Sequence, residues 1–184
     1  MIKWLVVVLL AGLGLVFWRG MAYANSNLPK AGDVAPAFNL PDQSGKFHNN
    51  AEFRGKWLVV YFYPRDDTPG CTEQACTFRD DMHKLTRLGA AIVGISVDDT
   101  ASHAAFASKY HLPFPLLADD KGEVAERYGS IRDLALVKFA QRNTFLIDPQ
   151  GKIAKVYLSV STSKNSQEII DDLQKLAGVP AAAR

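Results

Sequence analysis

The chain has 184 residues, 48% of them hydrophobic and 22% charged, which is the length and composition of one globular domain with a full hydrophobic core. Lysine and arginine number 21 against 19 acids, a formal net charge of +2, and this near balance speaks against a nucleic-acid partner. The only two cysteines, Cys71 and Cys76, stand five residues apart; that is not the C-x2-4-C spacing of a structural zinc module, and with no paired-histidine motif downstream a metal site is not expected.

At the N-terminus, Lys3 precedes fifteen uncharged residues, 4–18, followed by Arg19, Gly20 and the small-x-small triplet Ala22-Tyr23-Ala24. A positive start, a short apolar core and such a triplet match a secretory signal peptide cleaved after Ala24. The other reading is an uncleaved inner-membrane anchor through residues 4–18, although that stretch rises only ~22 Å as a helix against a hydrocarbon core of ~30 Å. Cleavage is the preferred reading. Both place the globular part in a bacterial periplasm, because Lys3 favours a cytoplasmic N-terminus. Loss of residues 1–24 removes Lys3 and Arg19 and no acid, taking the formal charge from +2 to 0. Residues 25–31 then read as a brief linker and 32–184 as one domain.

Residues 57–63, WLVVYFY, form an unbroken apolar and aromatic run, the pattern of a strand buried on both faces. Turn formers fill 64–70. Beyond them Ala75, Phe78, Met82 and Leu85 recur at helical spacing with Arg79, Asp80, His83 and Lys84 between, which predicts an amphipathic helix over 72–88. Cys71 thus stands at a helix N-terminus, where unpaired backbone N–H groups and the helix dipole favour the thiolate, the nucleophilic form.

Cys76 follows one and a half turns later. In an intact helix, residues five apart are separated by ~7.5 Å along the axis and ~140° around it, so their Cα atoms lie roughly 8 to 9 Å apart. A disulfide seldom tolerates more than ~7 Å. A bond between the two thiols therefore requires the first turns to unwind, a conformational change coupled to oxidation. A static structural bridge and two unrelated thiols are the blander readings.

Apolar runs at 90–97 and 144–147 predict two further buried strands, and Asp148-Pro149-Gln150-Gly151 a turn into a hairpin strand over 152–157. Helices are predicted over 102–110, 122–128 and 166–177, the last stopped by Gly178 with Pro180 beyond. Strand and helix alternate before a closing hairpin and helix, the order of an α/β sandwich. The segment 130–141, SIRDLALVKFAQ, fits strand or short helix. Among the histidines, His83 lies about 18 Å along the helix axis from Cys71, too far to be its base. His48, His103 and His111 fall in polar or loop contexts and read as solvated or locally bonded side chains.

Residues 64–71 match PxxxTxxC, the signature of peroxiredoxins, and the run YFYPRDDTPGCTEQACTFRD resembles the peroxiredoxin Q or bacterioferritin-comigratory class. Downstream, RNTFLIDPQGKI resembles the segment that carries that family's active-site arginine, here Arg142. The resemblance runs from about Gly32 to the C-terminal helix and implies a thioredoxin fold with an N-terminal hairpin extension around residues 42–45. It implies further that Cys71 is the peroxidatic nucleophile and Cys76 the resolving thiol, closing a Cys71–Cys76 disulfide that thioredoxin or a thioredoxin-like dithiol reduces. Thr68, Arg142 and the backbone N–H groups near Gly70 and Cys71 would stabilise charge on the leaving oxygen, with Pro64 and Gly70 as supporting residues. No cofactor and no metal is required, and a monomer suffices because the bridge is intramolecular. On the residues alone, Thr68 is equally a turn or cap residue and Arg142 an ordinary surface charge; segment 130–141 also lacks the glycine-bearing approach many members show. Two other functions compete. One is an exported thiol-disulfide reductase of the cytochrome-maturation kind, which would need the CxxC this chain lacks; the other is a binding module with the cysteines as a redox-sensitive staple.

Overall fold

The computed structural model describes residues 28–134 and 137–176. In chain order it runs β1 (Asn39–Pro41), β2 (Phe47–Asn49), a 3-10 turn (Asn50–Phe53), β3 (Trp57–Phe62), α1 (Pro69–Arg87), β4 (Ala90–Ser96), α2 (Thr100–Tyr110) and β5 (Leu116–Ala118). There follow α3 (Glu123–Arg127), β6 (Ile131–Asp133), β7 (Lys138–Ala140), β8 (Thr144–Ile147), β9 (Ile153–Tyr157) and α4 (Asn165–Leu176).

The apolar run at 57–63 becomes β3, the centre of a five-stranded sheet ordered β5-β4-β3-β8-β9. Strands β3, β4 and β5 are parallel, whereas β8 and β9 run antiparallel to their neighbours. Alternate side chains of β3 enter two cores, as the strand period of two requires. Val59, Tyr61 and Tyr63 pack with Cys71, Ala75 and Phe78 of α1 and with Ile169 and Leu173 of α4. Leu58, Val60 and Phe62 pack on the opposite face with Phe38, Val124, Tyr128 and Phe145. Both faces are covered, which is why the run carries no polar residue. This is the expected α/β sheet flanked by helices.

Both turns foreseen in the sequence form around an aspartate. Asp148 Oδ1 accepts from the N–H groups of Gln150 at 3.0 Å and Lys152 at 2.8 Å, leading into β9, and Gly151 supplies the positive φ of 79°. In the β1–β2 hairpin, Asp42 Oδ1 accepts from the Ser44 N–H at 2.7 Å and the Lys46 N–H at 3.1 Å. Gln43 at its tip donates to the Phe114 carbonyl and accepts from the Leu116 N–H. The hairpin thereby ties onto edge strand β5, as edge strands need.

Several expectations are corrected. Helix α1 begins at Pro69, three residues before the expected start at Thr72, because proline suits the first helical position and its fixed φ needs no apolar partner. Strand β5 went unseen: three residues between Pro115 and Asp119 show no period. Within segment 130–141, residues 131–133 and 138–140 are strands, β6 paired antiparallel to β7. His48 is buried, with Nε2 2.9 Å from Asp42 Oδ2 and Nδ1 2.9 Å from Glu52 Oε2. His103 is also buried, on α2, and is not solvated. The expected stop at Gly178, and everything read from residues 1–27, lies outside the described residues.

Candidate active site

Beneath the loop that joins β3 to α1 lies a buried polar cluster. Asp66 accepts from Tyr63 Oη at 2.8 Å, Ser102 Oγ at 2.7 Å and His103 Nδ1 at 2.8 Å, while its own N–H donates to Asp98 Oδ2 at 2.8 Å. Burial above all, with the Asp66 carboxylate beside it, pushes the Tyr63 phenol well up and keeps it a donor. The next residue, Asp67, adopts a left-handed φ of 54°, disfavoured for any side chain. It is held there by Lys109 Nζ at 2.7 Å and Tyr110 Oη at 2.6 Å. Consecutive aspartates thus fasten the loop to α2, one inside and one outside.

That loop delivers Cys71 as the third residue of α1, 1% exposed. The first intrahelical bond runs from the Thr72 N–H to the Thr68 carbonyl at 2.8 Å. The N–H groups of Gly70 and Cys71 precede it and have no intrahelical acceptor, which leaves the positive end of the helix at the sulfur. Arg142 arrives from the turn between β7 and β8. Its carbonyl accepts from the Val160 N–H at 3.1 Å, and the neighbouring Asn143 carbonyl accepts from the Phe62 N–H at 2.8 Å. The backbone of this turn is therefore pinned to β3 and to the loop after β9.

Arg142 Nη2 lies 3.3 Å from Cys71 Sγ, and Nη1 donates to Gln74 Oε1 at 2.8 Å and lies 3.5 Å from the Gly70 carbonyl. A Cβ at position 70 would stand 3.3 Å from Nη2, so glycine there leaves room for the guanidinium. Gln74 Nε2 in turn donates to Asn165 Oδ1 at 3.0 Å. A nucleophilic sulfur, a fixed cation and unpaired N–H donors converge on one point, the equipment for displacement at an atom whose leaving group gathers negative charge.

Of the residues singled out from the sequence, Cys71, Gly70 and Arg142 come together. Thr68 is the extended residue before the helix, but its hydroxyl donates to the Arg65 carbonyl at 3.1 Å and makes no capping bond. Pro64 sits half-buried where the chain leaves β3. Cys76 is half-buried in the same continuous helix, and both thiols are free. Gln74, Asn165, Asp66 and His103 were missed. Gln74 had a signal, since residues three apart share a helix face; the others depend on contacts between distant elements.

Residues 31–156 match the profile of the AhpC/TSA family. The chain belongs to that family. It is 44% identical over 146 residues to the chloroplastic peroxiredoxin Q of Populus jackii, covering 79% of this chain and 68% of that one. It is 40% identical over 148 residues to a putative peroxiredoxin bcp of Coxiella burnetii, covering 78% of this chain and 98% of the relative. Among solved structures, the peroxidoxin BcpB of Mycobacterium tuberculosis superposes with a TM-score of 0.77 at 34% identity, over 80% of this chain and 98% of that one. This peroxiredoxin is a thioredoxin-fold thiol peroxidase of the peroxiredoxin Q and bacterioferritin-comigratory class, and the class brings a peroxide substrate and a thioredoxin-type reductant. The reading as a cytochrome-maturation reductase falls with the same matches. So does the periplasmic or membrane-anchored placement, because the relatives matched are chloroplastic peroxiredoxins Q and a bcp-type peroxiredoxin.

Proposed function

We propose that Cys71 is the peroxidatic nucleophile and Cys76 the resolving thiol of this peroxidase. The observation that carries the assignment is the 3.3 Å approach of Arg142 Nη2 to a Cys71 sulfur buried at the start of α1. The Cys71 thiolate attacks one peroxide oxygen, the O–O bond breaks, and the other oxygen leaves with a proton as water or an alcohol. Arg142 and the N–H groups of Gly70 and Cys71 meet the charge on that oxygen. Cysteine sulfenic acid results. Cys76 then attacks the sulfenic sulfur, forming the disulfide and releasing water, and an external dithiol of the thioredoxin type returns both thiols.

Thr68 has its role in the bound state, its hydroxyl turning from the Arg65 carbonyl to the peroxide; Pro64 stiffens the loop. With both thiols on one helix, a monomer completes the cycle. The continuous helix from Pro69 to Arg87 puts their Cα atoms ~8 to 9 Å apart, so the bond forms only as the first turns of α1 open. Mass spectrometry of variants after one equivalent of hydrogen peroxide tests the assignment. Cys71→Ser should consume no peroxide, and Cys76→Ser should be oxidised once and stop at sulfenic acid. Sustained turnover by Cys71→Ser would overturn it.

A further inference from the structure

Asn165, the first residue of α4, is fully buried. Its Oδ1 accepts two hydrogen bonds, from Gln74 Nε2 at 3.0 Å and Thr144 Oγ1 at 2.9 Å. Its Nδ2 is buried with no partner among the described residues. A buried donor left unpaired is destabilising, and an apolar residue would avoid that penalty, so the acceptor oxygen is the part of this side chain that the fold uses.

The acceptor fixes the orientation of the Gln74 amide. Because Nε2 is held by Asn165, Oε1 faces Arg142 Nη1 at 2.8 Å, and Nη2 reaches Cys71 Sγ. A flipped amide would present N–H to the guanidinium, donor against donor. The same contact lies across the path of resolution. Gln74 falls between Cys71 and Cys76, so opening the turn to form the disulfide redirects its side chain and breaks its bonds to Arg142 and Asn165. A second tie on the same turn, from Thr162 Oγ1 to Glu73, breaks with it.

We propose that Asn165 is a positioning residue with opposite effects on two steps: it holds Gln74 and Arg142 in register for attack on peroxide, and it holds α1 shut against formation of the Cys71–Cys76 bond. This rests on the assignment of the two thiols above. While the helix stays shut, the sulfenic acid has two fates. Cys76 attacks its sulfur and water leaves, or its sulfur attacks a second peroxide, gaining one oxygen as the O–O bond breaks and an alcohol or water leaves, to give sulfinic acid. The latch therefore sets how much enzyme is lost to overoxidation at a given peroxide concentration.

Rapid-quench oxidation of the full chain by hydrogen peroxide, read by intact mass after alkylation, separates the steps in wild type, Asn165→Ala and Asn165→Asp. For Asn165→Ala we expect sulfenic acid to form roughly ten-fold more slowly, as for loss of a bond in a charge-assisted network. The disulfide should then form several-fold faster, on the order of the same lost bond, and the sulfinic fraction should fall. Asn165→Asp keeps an acceptor for both donors and should restore the wild-type balance. Unchanged or jointly slowed steps in Asn165→Ala, or failure of Asn165→Asp to restore them, would overturn the proposal. Should Asn165→Ala not fold, Gln74→Met cuts the same link from the helix side and is read the same way. A wild-type chain that forms no sulfenic acid at Cys71 would instead overturn the assignment of the thiols, whatever the variants do.

Discussion

At the residue scale, the proposed chemistry turns on a single guanidinium. Arg142 touches the sulfur with one nitrogen and Gln74 with the other, a two-headed contact that lysine cannot reproduce. Arg142→Ala should lower kcat/KM for hydrogen peroxide by about 10² to 10³, the loss seen when a transition-state donor is removed, and Arg142→Lys should recover little of it. Steady-state peroxidase assays check this; equal activity in the alanine variant would remove Arg142 from the mechanism. A different residue tests the packing beneath the site. A Cβ on Gly94 would lie 2.7 Å from Tyr61 Oη and 2.9 Å from Leu116 Cδ2. Gly94→Ala should therefore cost about 1 to 3 kcal/mol in urea unfolding, as overpacking does. The placement of both thiols on one helix, Cys71 at its start, was legible because the two cysteines and the helix start are neighbours in the chain. Arg142 was legible only by resemblance, since nothing near it announces a distant sulfur. Asn165 was not legible at all: its role exists only once α4 packs beside α1.

Among the elements, the loop between β3 and α1 shows most plainly what local pattern conveys and what it leaves out. Its prolines and aspartates marked it as a turn, but not that Asp66 would be buried against His103 and Ser102 or that Asp67 would reach Lys109 and Tyr110. These contacts cross 36 to 43 positions of sequence and are invisible to periodicity. They lie outside the 71–76 stretch, so on the proposed assignment of the thiols this anchor would survive disulfide formation and confine the opening to α1. His103→Phe removes one of three donors to a buried carboxylate and should destabilise the fold by about 2 kcal/mol. It should also slow sulfenic acid formation by releasing the loop; a variant less stable but equally fast would show that the cluster serves folding alone. Long elements such as β3, α1 and β4 were read within a few residues, whereas the three-residue strand β5 was not and the segment holding β6 and β7 fitted strand or short helix alike, because so short a run carries no period.

For the whole molecule, two packed faces of one sheet carry a site assembled from α1, the β7–β8 turn and α4, with the N-terminal hairpin closing the far edge. The hairpin has its own titration. Burial pushes the Asp42 carboxyl up, but hydrogen bonds from Ser44 and His48 and from the Ser44 and Lys46 backbone outweigh it and bring it down to about 2, from an ordinary 3.8. A carboxyl lowered in the folded state adds stability above its unfolded pKa and loses it as pH falls through the folded one. Its contribution, about 2 kcal/mol, is present above pH ~4 and vanishes toward pH ~2. Urea unfolding should show the gap between wild type and Asp42→Asn narrowing over that interval; a constant gap would contradict it.

The central claim is that a buried Cys71 is oxidised by peroxide and resolved by Cys76 through opening of the helix that carries both. Stopped-flow oxidation of the fully reduced chain by hydrogen peroxide, with intact mass after thiol alkylation, tests it most directly. The account predicts fast consumption of one equivalent with loss of both free thiols in a single chain. A rate no greater than that of an ordinary thiol, or fast oxidation that leaves Cys76 free, would contradict it.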